Sequence, residues 1–187
     1  MASDVQSAVR HPVILFTAFF AVCLWAGAAA RMLRMCGDEW QFGSRSLRLL
    51  RAGWLAGWLM FMVHVAVAFH VAHGWSHTAA YEHTERTAGV GEGIFVNYLF
   101  GLVWGLDVAS LVGSPGSYAR RPRWVGWAVH GFLTFVVFNA TVVYGTGFIR
   151  WTGVLLFALL GWYMVRRYWA GNHDSARPKG ATGNNQR

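Results

Sequence analysis

Charge is the scarcest commodity in this chain of 187 residues: Asp, Glu, Lys and Arg together make up 13%, about half the share that solvates an ordinary soluble domain. Only two cysteines are present, which excludes a disulfide scaffold. Proline is limited to four residues, and there is no internal repeat or low-complexity tract. No Walker, Rossmann or serine-hydrolase motif occurs, nor the His-Glu-x-x-His order of the zincins, a Cys-x-x-Cys, or the Cys-x-x-Cys-His of c-type haem attachment. What remains is 55% hydrophobic and contains 11 Trp and 13 Phe. Such a content excludes a disordered chain and predicts an all-α, polytopic helical bundle in a lipid bilayer.

Crossing about 30 Å of hydrocarbon takes roughly twenty residues of helix, and five apolar runs approach that length. They are Pro12 to Ala30, about Leu49 to Gly74, Gly93 to Gly113, Trp124 to Gly145, and about Trp151 to Val165. Arginine orients them, because basic residues near span ends concentrate on the cytoplasmic side. Arg31, Arg34, Arg45, Arg48 and Arg51 lie between the first two spans, Arg120, Arg121 and Arg123 between the third and fourth, and Arg166 and Arg167 after the fifth. An outside N-terminus and an inside C-terminus place all three groups inside, as in a bacterial inner membrane protein. Val13 to Trp25 followed by Ala26 to Ala30 also has the form of a cleaved leader, which would invert every later loop. Residues 1–170 are expected to form one domain, and 171–187, without apolar periodicity, a disordered cytoplasmic tail. The net charge of +8 flanks spans and does not gather on one face, so no nucleic-acid partner is expected; anionic lipid is.

Histidine carries the first functional expectation. His70, His73 and His77 recur at i, i+3 and i+7 and share one helical stripe if the helix continues past the membrane surface. Traced backwards, the stripe meets Val63, Leu59, Ala56 and Ala52, small or aliphatic residues that suit close helix approach, so the stripe is expected to face the bundle interior. His83, Glu82 and Glu85 follow in the next loop. Imidazole and carboxylate together suit a transition metal (Zn, Cu or Fe); the same residues also suit interfacial anchoring of a span beside Trp75 and Tyr81. Haem b would need His64 with a tilted partner, or His70 or His73 with His83, because His64 and His130 differ in depth by about 10 Å.

Two further groups match in depth. Asp107 and His130 fall on sequential spans, and an intramembrane carboxylate is costly without a partner; a proton relay or structural glue would follow. His64, Asn97 and Asn139 form a possible polar network on three spans. These features predict an integral membrane subunit with a metal-binding or redox-associated site at the outer face. The alternative is a non-catalytic accessory subunit whose Trp-rich surfaces meet other membrane subunits or a second copy. A proton-coupled transporter fits less well, since inverted repeats are lacking.

Overall fold

A computed structural model describes residues 12–35, 37–40 and 43–175. All regular structure among them is helical: α1 (Pro12–Arg34), a short 3-10 turn (Gly37–Trp40), α2 (Arg45–His73), α3 (His77–Ala88), α4 (Gly93–Gly113), α5 (Pro115–Arg120), α6 (Arg123–Phe138) running into a π-turn (Asn139–Val143), and α7 (Gly147–Ser175). Five helices are long and apolar enough to cross a membrane, namely α1, α2, α4, α6 with its π-turn, and α7 over Gly147–Arg166. The third agrees with its expected bounds; the last is longer than its apolar run, because α7 continues through Gly171–Ser175, residues assigned to the tail by composition. Residues 176–187 of that tail lie outside the described residues.

The short helices mark the two ends of the bundle. Antiparallel connection puts α3 at one end, between α2 and α4, and α5 at the other, between α4 and α6. At the α3 end, Gly74 (φ 53°) and Trp75 (φ 63°) both take the left-handed conformation. Such geometry ends a helix, and Ser76 then caps α3 by accepting the Ala79 N–H at 3.2 Å. At the α5 end, Pro115 opens a six-residue helix that turns back against the bundle and buries Tyr118.

Packing is densest towards the α5 end. Leu47, Leu50 and Trp54 of α2, Trp104 and Leu111 of α4 and Leu133 of α6 are almost fully buried. Glycines admit the aromatic rings: a Cβ at Gly57 would stand 3.0 Å from Trp104, one at Gly101 3.1 Å from Phe61, and one at Gly105 3.0 Å from Trp58. Small residues are how membrane helices approach without a hydrophobic drive between them. The inward face of α2 is therefore Leu47, Leu50, Trp54 and Gly57. This corrects the expectation from the alanine stripe: Ala52, Ala56, Leu59 and Val63 lie about 140–200° around the helix from Trp54 and are exposed. Glycine permits closer approach than alanine, and Trp54 finds a polar partner inside, so that face wins.

The outward surface carries Trp124, Trp127 and Trp151, each more than 70% exposed, with Trp162 and Trp169. Indoles near span ends suit a bilayer interface.

Candidate functional site

The break at Gly74 and Trp75 decides the fate of the histidine stripe. His77 belongs to α3 and not to α2, and its ring packs against Phe95 and Tyr98 of α4. His70 accepts from the Trp75 indole at 3.2 Å and is exposed. Only His73 and His83 come together, with ring centres 5.5 Å apart; of the haem pairings considered above, this is the one juxtaposed. Glu82 faces outward and pairs with Arg86 at 3.6 Å, and Glu85 is exposed. Among the described residues no three His, Cys, Asp or Glu side chains converge as a metal site would require. The stripe needed an uninterrupted helix, and the chain does not supply one.

His73 and His83 instead line a cavity of about 370 Å³ within the α3-end half of the bundle, a volume typical of small-molecule sites. All five spans and α3 contribute to it. Phe19 and Trp25 of α1, Phe61 and Phe69 of α2, and Phe100 and Trp104 of α4 give it aromatic walls; His64, Asn97 and Thr141 add polar groups. No Asp, Glu, Lys or Arg is among its lining residues. Burial pushes the His83 imidazole below its usual pKa, with Arg86 adding to the effect, so His83 is neutral at pH 7.

His64 meets α1 through Thr17. Thr17 Oγ1 lies 2.9 Å from the Val13 carbonyl, 3.0 Å from that of Ile14 and 3.1 Å from His64 Nδ1. Thr17 thereby ties the His64 imidazole to the start of α1. Asn139 donates to the Phe135 carbonyl of its own helix at 2.8 Å. No hydrogen bond joins His64, Asn97 and Asn139 among the described residues; His64 and Asn97 share the cavity wall, and Asn139 is not part of it.

A second polar cluster sits at the α5 end. Asp107 is 5% exposed and accepts from three donors: Trp54 Nε1 at 2.9 Å, Tyr118 OH at 3.0 Å and Arg121 at 2.5 Å. The same guanidinium donates to Tyr118 OH at 3.0 Å and to His130 Nε2 at 2.9 Å, and it stacks 3.8 Å above the Tyr118 ring. Asp107 and His130 thus share one cluster, as their depths suggest, but Arg121 and Tyr118 stand between them. A guanidinium can only donate, so His130 Nε2 accepts and the imidazole in this arrangement is neutral. Burial, together with the adjacent Asp107 carboxylate, pushes the Tyr118 phenol far above its usual pKa; it remains a donor. Trp54, Tyr118 and Arg121 were missed as partners because Arg121 in a basic loop reads as a solvated topology signal, and a Trp or Tyr in an apolar chain reads as packing.

Against protein-family profiles, curated proteins and solved structures, the chain finds no match. The functional reading rests on its own geometry.

Proposed function

We propose that this chain is a redox-associated integral membrane subunit that holds a small, mostly apolar ligand in the α3-end cavity. The orientation read from arginine applies: an outside N-terminus, the α3 end outward and the α5 end in the cytoplasm of a bacterial inner membrane. The cavity is the observation that carries the reading. Concave apolar volumes of this size with a few convergent polar groups are the usual form of ligand sites. The Trp-rich outer surface supports the accessory-subunit reading equally well as the anchoring of a lone subunit, so it does not compete with the cavity.

Protein purified in mild detergent, examined by visible spectrum, metal analysis and mass spectrometry of an organic extract, tests the proposal. Retained ligand is expected to fall in His73→Ala and His83→Ala and to stay unchanged in His70→Ala and His77→Ala. Equal loss in all four variants would count against the cavity and return the site to the full histidine stripe. A bound transition metal would have to show the same dependence.

Labelling tests the orientation separately. In a background lacking Cys23 and Cys36, a cysteine at Ser114 is expected to react only from the cytoplasmic side and one at Glu82 only from outside. The reverse pattern would invert the whole arrangement.

A further inference from the structure

The outward face of α2 leads, at the α5 end of the bundle, to two arginines. Arg48 and Arg51 line a groove of about 230 Å³ between α2 and α4, together with Ala52, Leu55 and Val112. The Arg51 guanidinium reaches across it and donates to the Val112 carbonyl at 2.6 Å, one of the last four carbonyls of α4, which have no partner within their own helix. Arg48 donates to the Gly43 carbonyl at 2.6 Å. Each guanidinium has five N–H groups, so both keep donors to spare. Among the described residues neither arginine has a carboxylate within salt-bridge distance, in contrast to Arg86 with Glu82 and Arg121 with Asp107. Arg51 is half-buried, and its charge is partly withdrawn from water without a counter-ion.

The surroundings narrow the class of anion. At 100° per residue Arg48, Ala52, Leu59 and Met62 fall within about 80° of one another, so the groove runs on into an apolar track. Ala52, Leu59 and Met62 are all exposed. From Ala52 to Met62 the track covers about 15 Å of helix, the depth of one leaflet of a hydrocarbon core about 30 Å thick. An occupant that matches both parts has an anionic oxygen head, which the guanidinium fork receives, and an apolar tail. A zwitterionic head would bring its ammonium up to two guanidiniums with no carboxylate to receive it, and like charges repel. We infer that this groove binds an anionic phospholipid, its phosphate between Arg48 and Arg51 and an acyl chain along Ala52, Leu59 and Met62. Basic loops attract anionic membrane in general; here one lipid has a defined seat. The site lies at the opposite end of the bundle from the cavity and is independent of the ligand held there.

Dioleoyl phosphatidylglycerol and dioleoyl phosphatidylcholine share their chains and phosphodiester and differ in net charge, whereas inorganic phosphate lacks the chains. The readout is the protein remaining in size-exclusion chromatography after heating detergent-solubilised samples, since a ligand that binds the native state raises its thermal midpoint by mass action. Phosphatidylglycerol is expected to bind at least about tenfold more tightly than phosphatidylcholine, the equivalent of one charge-assisted hydrogen bond. That advantage is expected to vanish in Arg48→Ala, in Arg51→Ala and in Ala52→Phe, which fills the groove without changing its charge. It is expected to persist in Arg123→Ala, an exposed arginine at the same end. Arg51→Ala also removes the bond to Val112, so each variant is compared with its own lipid-free sample. Where Arg51→Ala does not fold, Arg48→Ala and Ala52→Phe, both at exposed positions, carry the test. Equal binding of the two lipids would overturn the inference. An equal loss in Arg123→Ala would reduce the effect to the diffuse charge of this end and overturn the groove. Inorganic phosphate raising the midpoint as far as phosphatidylglycerol would assign the arginines to a soluble phosphate and overturn the lipid.

Discussion

Replacing Asp107 with Ala is expected to lower the unfolding free energy by about 3–5 kcal/mol, the usual cost of breaking a buried ion pair from one side. The carboxylate is the common acceptor for Trp54, Tyr118 and Arg121. Without it the Arg121 guanidinium stays packed on the Tyr118 ring with no anion nearby, and two neutral donors lose their acceptor. Arg121→Ala is expected to cost a similar amount, because the Asp107 side chain is only 2% exposed and would keep just two neutral donors. His130→Ala removes one acceptor and is expected to cost about 1–3 kcal/mol. Reversible unfolding in detergent, followed by tryptophan fluorescence, measures all three.

A pair of double-mutant cycles then assigns the partners. Contacting residues couple, and separated ones add. The cycle on Asp107 and Arg121 is expected to show strong coupling, so that the double variant loses far less than the sum of the singles. The cycle on Asp107 and His130 is expected to show much weaker coupling, since both reach each other only through Arg121 and Tyr118. Stronger coupling to His130 than to Arg121 would mean that the carboxylate and imidazole meet directly, and the assignment of Arg121 as the main counter-charge would fail.

That cluster also marks how far the amino-acid sequence can be read. Five spans were legible because crossing a bilayer asks only for length and apolarity, and Gly93–Gly113 met that requirement with no ambiguity. The presence of Asp107 and His130 at one level was legible from helix rise alone. Arg121 and Tyr118 were not, because their approach depends on α5 folding back, a six-residue turn with no apolar period to announce it. The histidine stripe failed at a point where the signal existed: Gly74 followed by Ser76 is a helix stop followed by a helix start, and continuing the helix through them put His77 on the wrong element. The inward face of α2 turned on Gly57 against Ala56, a choice that single-helix periodicity cannot make without the Trp104 ring that fills the glycine notch. The cavity is a property of five helices together and has no local signature.

Gly145→Ala is expected to be the most damaging glycine-to-alanine change among the described residues. Its Cβ would stand 2.0 Å from the Thr141 carbonyl oxygen and 2.7 Å from the carbonyl carbon, and backbone cannot swing aside as a flexible side chain can. The crowding arises because the π-turn over Asn139–Val143 closes with Tyr144 N–H donating to the Asn139 carbonyl at 2.9 Å, which carries the next residue back under Thr141. Gly153 of α7 packs against the same threonine, where a Cβ would meet Oγ1 at 2.6 Å, so the turn cannot shift towards α7 to make room. Overpacking of this kind costs about 1–3 kcal/mol and sometimes more, and Gly145→Ala is expected at or above the upper end. Gly131→Ala is the control: it lies on α6 with nothing within 4 Å of an added Cβ, and as an alanine inside a helix it is expected to be neutral or stabilising by up to about 1 kcal/mol. Because Thr141 and Gly153 also line the cavity, Gly145→Ala is expected to lose stability and ligand retention together. A variant that kept the thermal midpoint of Gly131→Ala would show that the π-turn is not closed on Gly145, and the cavity wall formed by Thr141 would have to be redrawn.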